Sequence, residues 1–242
     1  MLLGTETDTQ DAVGRILEQR EVVCTESEAR AAVLGFVGEY DQIPPMYSAL
    51  KVNGKKLCDL ARAGKEVERK ARRVQIHDIT IESMELPRVT MTVTCSKGTY
   101  IRTLCHDIGE KLGCGACMEQ LVRTRVADFS IEDSVTLSQL EEAVREGREE
   151  LLILAVDRLF LKLPALTVKE EFQKNVENGN RIPAEGIAED LPGNLAKEAE
   201  GSFSSIIQDA RIYDYEGRFV GIYRYQQKEQ DFKPVKIFLE KD

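Results

Sequence analysis

Tryptophan is absent from the 242-residue chain, and aromatic residues make up only 6% of it, so an aromatic stacking platform has few side chains to draw on. There are two histidines, His77 and His106, and neither belongs to a recognisable dyad or metal set. No Gly-x-Gly-x-x-Gly and no P-loop occurs, which removes the usual dinucleotide and nucleoside-triphosphate sites. Long apolar runs are missing too. The best, Leu151 to Val156, falls far short of the ~18–20 residues of a membrane span. The opening residues turn polar at Gly4 and hold no signal-peptide core, so the sequence predicts a cytoplasmic protein with no membrane partner. Six cysteines in such a chain read as reduced thiols. Cys114 and Cys117, with Cys105 and His106 upstream, do not predict zinc: Cys105 and His106 are adjacent, and point about 100° apart on a helix.

What is present is an ordinary globular balance, 42% hydrophobic and 31% charged, with a net charge of −9. The charge is uneven. Residues 1–50 carry −6, residues 51–125 carry +6, and residues 126–242 carry −9. The positive block is densest at Lys51, Lys55, Lys56, Arg62, Lys65, Arg69, Lys70, Arg72 and Arg73. Such a block suits phosphates, because each one neutralised releases counterions; a lysine-rich solvated face is the other reading.

Local signals outline the elements. Thr25-Glu26-Ser27-Glu28 has the form of a capping box ahead of a helix over 26–39. Asn53-Gly54 marks a hairpin turn, and a short helix is expected over 57–63. Val74–Ile81 and Val89–Cys95 read as strands. Ile101, Leu104, Cys105, Ile108 and Leu112 share one helical face, with Gly113 placed to cap its end. Thr136 caps another helix. Met1-Leu2-Leu3-Gly4 looks like the tail of a strand with little to pair with. Composition shifts near Leu163-Pro164, which predicts a first domain over 1–160 and a small β module over 161–242. In that module a short helix near 168–177 precedes a loop over 178–202 and strands near 204–212, 219–225 and 235–239. The expected fold class is α+β: a mixed, mostly antiparallel sheet with flanking helices, followed by the β module.

Arg102 is the informative residue. It falls in the first turn of a predicted helix, where the macrodipole opposes a cation by ~0.3–1 kcal/mol. Helix stability does not explain it. Either the side chain turns back to solvent or something anionic faces it, and a guanidinium suits a carboxylate or a phosphate equally. Tyr100 beside it stacks on a base or packs in the core.

Four separated blocks then carry a resemblance. They are Leu3-Gly4-Thr5-Glu6-Thr7-Asp8-Thr9-Gln10-Asp11, the run from Ile43-Pro44-Pro45-Met46-Tyr47-Ser48 through Leu57, the run from Cys95-Ser96-Lys97-Gly98 through Arg102, and Gly109–Ala116 with Leu121-Val122-Arg123-Thr124-Arg125 following. In that order they closely resemble the bacterial TruB-type tRNA pseudouridine synthases. The likeness covers about residues 1–160, and the remainder resembles that family's PUA-like module.

The resemblance implies an isomerase that turns the T-loop uridine at tRNA position 55 into pseudouridine without metal or organic cofactor, after the base has left its stack. An aspartate carboxylate attacks or assists, the glycosidic bond breaks, the uracil turns, and a C–C bond forms to the same sugar. Carried over by motif, Arg102 pairs with that aspartate and keeps it ionised. Tyr100 and Leu121 line the uracil pocket, and Asp11 lies against the flipped nucleotide. Lys51, Lys55, Lys56, Lys97, Arg123 and Arg125 meet RNA phosphates. The family's aspartate belongs to a Gly-His-x-Gly-x-Leu-Asp-Pro loop, and this chain contains no Asp-Pro. The expectation is therefore a family member lacking its N-terminal catalytic segment and inactive by itself, with a noncatalytic tRNA-binding protein as the alternative. Asp107 is a poor substitute, lying about 140° round the helix from Arg102.

Overall fold

A computed structural model of the chain describes residues 1–188 and 208–239. It forms two compact units, Met1–Glu132 and Asp133–Asp242. The first contains β1 (Leu2–Leu3), β2 (Thr5–Thr7), β3 (Ile16–Gln19), α1 (Glu26–Leu34), β4 (Gly38–Gln42), β5 (Lys51–Val52), β6 (Lys55–Lys56), α2 (Leu57–Arg62), β7 (Arg72–Glu85), β8 (Arg88–Cys95), α3 (Ile101–Leu112), β9 (Ala116–Cys117), β10 (Arg125–Val126) and β11 (Phe129–Ser130). Its main sheet has the order β4-β7-β8-β1-β9, antiparallel throughout.

The α+β class expected from the sequence is the one observed. The Thr25–Glu28 capping box forms, with the Thr25 hydroxyl accepting from the Glu28 N–H and the Glu28 carboxylate accepting from the Thr25 N–H. That helix stops at Leu34, earlier than expected, because Gly35 caps it and the chain runs on into β4, which pairs with β7. Leu2 and Leu3 correct the opening expectation. Far from lacking partners, β1 is an interior strand: Leu2 faces Arg88 on one side and Cys117 on the other, and Leu3 faces Ala116. Pairings this distant leave no local trace in the sequence. Asn53 and Gly54 both take positive φ, 51° and 79°, as a two-residue hairpin turn between β5 and β6 requires.

The core of this unit lies between α3 and the sheet. Leu104 and Ile108 are fully buried on α3 and join Val33, Ile76 and Ile79, with Met91, Val93 and Ile101 at the margin. Each such side chain contributes about 1.5–3 kcal/mol. The face read from the sequence is thus the buried one, and Gly113 closes the helix with φ of 75°.

The second unit holds α4 (Leu137–Arg145), β12 (Ala165–Thr167), α5 (Gln173–Glu177), β13 (Ile182–Pro183), β14 (Asp209–Tyr213), β15 (Phe219–Gln226) and β16 (Asp231–Ile237). Its sheet runs β12-β14-β15-β16-β13 over a core that includes Leu166, Ile212, Tyr223 and Phe232. The expected strands near 219–225 and 235–239 correspond to β15 and β16. Part of the expected 204–212 strand and most of the 178–202 loop lie outside the described residues.

One glycine fixes how closely α3 approaches β9. A Cβ on Gly109 would sit 2.2 Å from the Ala116 nitrogen and 2.6 Å from its Cβ. Alanine ordinarily gains about 1 kcal/mol over glycine inside a helix, but overpacking against rigid backbone outweighs that. Gly109→Ala is expected to destabilise the protein by about 2–3 kcal/mol in urea unfolding; a neutral or stabilising effect would contradict the close approach.

Candidate functional site

The start of α3 is where sequence and structure converge. Tyr100 occupies the N-cap position with extended backbone (φ −100°, ψ 107°), no side chain caps the helix, and no acidic residue lies in its first turn. The backbone is held instead by a residue from β4. The Gln42 side chain, 1% exposed, accepts from the Tyr100 N–H at 2.8 Å and donates to the Tyr100 carbonyl at 3.1 Å. Its amide therefore pairs with the peptide of Tyr100 much as one strand pairs with another. That carbonyl also accepts from Leu104 N–H, so both its lone pairs are used.

Gln42 Nε2 also donates to the Tyr40 hydroxyl, which in turn donates to Asp107 on the second turn of α3. Burial pushes Asp107 up to about 6, with Glu110 adding to the rise and His106 and the Tyr40 hydrogen bond opposing it. Tyr40 is raised above the usual phenol range, chiefly by burial and then by Asp107.

Arg102 projects from the first turn, half-buried, with no hydrogen bond or ion pair among the described residues. On the neighbouring face, Thr103 is 2% exposed and its hydroxyl donates to Gln10 Oε1 at 2.8 Å. Gln10 and Ala12 exchange backbone hydrogen bonds with Met118, so the 10–12 segment runs parallel to the chain just before Leu121. The structure thereby brings the end of the first block to the beginning of the helix at which the third block ends.

The same order of blocks is found in known proteins. Residues 1–101 match the N-terminal domain model of the TruB family of pseudouridylate synthases, and residues 102–163 match a C-terminal domain model of tRNA pseudouridylate synthase B. Over 237 residues the chain is 43% identical to a tRNA pseudouridine synthase B of Alkaliphilus oremlandii, spanning 98% of this chain and 74% of that protein. The chain belongs to the TruB family. A relative of the same name in Lachnoclostridium phytofermentans is 44% identical over 212 residues, which span 84% of this chain and 66% of that one. The chain thus spans about two thirds to three quarters of the length of these TruB relatives. Among solved structures, the Cbf5 component of a Cbf5-Nop10-Gar1 complex shares the fold, with a TM-score of 0.58 at 23% identity over 89% of this chain and 63% of that one.

Within this TruB chain the other expected site residues are more dispersed. Leu121 is 55% exposed, in irregular chain after β9. The Asp11 carboxylate accepts from its own neighbour Val13 N–H, and its backbone carbonyl accepts from Thr7 and Thr9 hydroxyls. Lys97 is exposed in the turn before α3; Arg123 and Arg125 are exposed at and before β10. Lys51, Lys55 and Lys56 form their own cluster with α2. With Lys65 and Asp59 they line an open hollow of about 510 Å³. Gln42, Gln10 and Thr103 were not singled out by sequence reasoning: a polar side chain turned inward from a strand end leaves no periodic signal.

Donor atoms of Glu6, His106 and Glu110 lie within 4.8 Å of one another, the geometry in which a metal is sought. A cation is already there: Arg20 Nη1 lies 2.6 Å from Glu6 Oε1 and 3.8 Å from Glu110 Oε1. The cluster reads as an ion-pair network holding the β2–β3 hairpin to α3.

Asp107 yields a pH prediction. Its folded value of about 6 exceeds the ~3.9 of an unfolded aspartate, so the stability it confers is complete below about pH 4 and is lost as pH rises through about 6. Asp107→Asn keeps the size and an acceptor for Tyr40. It is expected to melt with wild type at about pH 4 and above it at about pH 7.5. Superimposable melting curves at both pH values would contradict the burial argument.

Proposed function

We propose that this chain carries the tRNA-facing surface and the arginine side of the uridine pocket of a tRNA pseudouridine synthase directed at the T-loop uridine. The observation that carries the reading is Arg102: a cation in the turn where a helix disfavours one, unpaired among the described residues, beside a tyrosine whose backbone is fixed by buried hydrogen bonds.

In this reading Arg102 supports an anion in the pocket, Tyr100 and Leu121 wall the flipped base, and Asp11 lies against the displaced nucleotide. The cations of the 51–56 hairpin, with Lys97, Arg123 and Arg125, hold phosphates of the T arm and set register without reading sequence. The pocket residues all lie within 1–160, and residues 161–242 serve as a small PUA-like RNA-binding module. Action on tRNA places the protein in the cytoplasm, with no cofactor demanded by the chemistry.

Isomerisation needs a carboxylate opposite Arg102, and here the chain departs from the family pattern, since it has no Asp-Pro. Asp107 does not supply the group, being engaged by Tyr40. The chain by itself therefore binds tRNA without turnover, which favours the noncatalytic RNA-binding reading for the polypeptide taken alone. Pseudouridine mapping of a T-arm substrate incubated with the purified chain is expected to show no conversion; stoichiometric or catalytic conversion would overturn this.

The docking face has its own test. Lys55→Glu with Lys56→Glu is expected to weaken binding of a T-arm hairpin at least tenfold at moderate salt. By fluorescence anisotropy, the slope of log K against log salt should shrink by about 1–2. An unchanged slope would move the RNA elsewhere.

A further inference from the structure

Gln42 belongs to none of the residues assigned above, yet its buried side chain bonds the backbone of Tyr100 on both sides. We infer that Gln42 is a positioning residue for base recognition: by pairing its amide with the Tyr100 peptide, it sets the directions in which Tyr100 and Arg102 project.

The geometry is specific to a primary amide. One face of the contact needs an acceptor for the Tyr100 N–H and the other a donor for the Tyr100 carbonyl, at 2.8 and 3.1 Å. Glutamate supplies only acceptors when ionised, and methionine supplies neither a strong donor nor a strong acceptor. The Tyr100 N–H and carbonyl fix which end of the amide is oxygen and which is nitrogen, and the remaining Nε2 hydrogen is spent on the Tyr40 hydroxyl. Asp107, accepting from that hydroxyl, returns the chain of hydrogen bonds to α3 itself. The loop thus ties the N-cap of α3 to its second turn by way of β4. Both ends of the Tyr100 peptide and one face of the helix are held together, although no side chain caps the helix. A peptide rotated by some tens of degrees would swing Tyr100 and Arg102 together, and a misplacement of about 1 Å is enough to spoil a recognition site.

This inference rests on the reading given under Proposed function, and the experiment separates the two. Two T-arm stem-loops are used, identical except that one carries uridine and the other an abasic site at the target position. Their affinity ratio for the full chain reports base recognition, while binding of the abasic RNA reports phosphate contacts. The wild-type chain is expected to prefer the uridine RNA. Gln42→Met, assayed well below its melting midpoint, is expected to reduce that preference at least tenfold and leave abasic binding within twofold. Tyr40→Phe, which keeps both Tyr100 hydrogen bonds but leaves one Nε2 hydrogen buried without a partner and cuts the tie to Asp107, is expected to reduce the preference about threefold. It decides the matter if Gln42→Met does not fold. A wild-type preference that survives in the folded variants overturns the role of Gln42 alone. A wild type without any preference overturns the T-loop reading, and this inference with it.

Discussion

The pairing of the Gln42 amide with the Tyr100 peptide is the constraint on which the rest of the first unit turns. A buried amide is tolerated only when its hydrogen-bonding groups are used, and a lost partner costs about 1–3 kcal/mol. Gln42 meets that demand by bonding the very residue that begins α3. The helix thereby starts at a fixed place and in a fixed direction. Its apolar face drops onto Ile76 and Ile79, its first turn presents Arg102, and its last turn brings Gly109 against Ala116. Position at the N-cap and packing along the body are consequences of the same seating.

Electrostatics explain why this seating is useful. Several arginines of the unit find carboxylates: Arg20 with Glu6 and Glu18, Arg73 with Asp41 and Glu39, Arg88 with Glu119. Arg102 finds none among the described residues although it is half-buried, and it sits against the helix dipole as well. Natural sequences give up local stability chiefly where a ligand compensates. The ligand expected here is anionic, and the separate lysine cluster at 51–56 suits phosphates for the same electrostatic reason. The strongly acidic remainder of the chain keeps that preference local within a protein of net charge −9.

Much of this was legible in the sequence, for identifiable reasons. Helix α3 was readable because its apolar residues recur at helical spacing over three turns and Gly113 ends it. The Thr25–Glu28 cap and the Asn53-Gly54 turn were readable because their chemistry is local. The family likeness rested on ordered blocks, and the end of the first of them lies against the start of α3, where the third ends. What escaped is non-local. Strand β1 has two residues, too few for a period, and owes its existence to strands more than eighty residues away. Strand β13 is as short, and β12 is only one residue longer. Gln42 sits one residue before the Ile43-Pro44-Pro45 block, in a polar strand whose inward side nothing in Gly38-Glu39-Tyr40-Asp41 declares. The cluster around Arg20 is invisible for the same reason, since Glu6, Glu18 and Glu110 are gathered by tertiary structure alone.

The central claim is that Arg102 serves a ligand and not the fold, and stability of Arg102→Ala measures it most directly. An unpaired cation removed from the first turn relieves a dipole penalty of ~0.3–1 kcal/mol and trades arginine for the best helix former. Urea unfolding of the free protein is therefore expected to show the variant as stable as wild type or more so by up to about 1 kcal/mol. A loss of about 2 kcal/mol or more, the signature of a broken buried pair, would place Arg102 among the structural ion pairs and contradict the account.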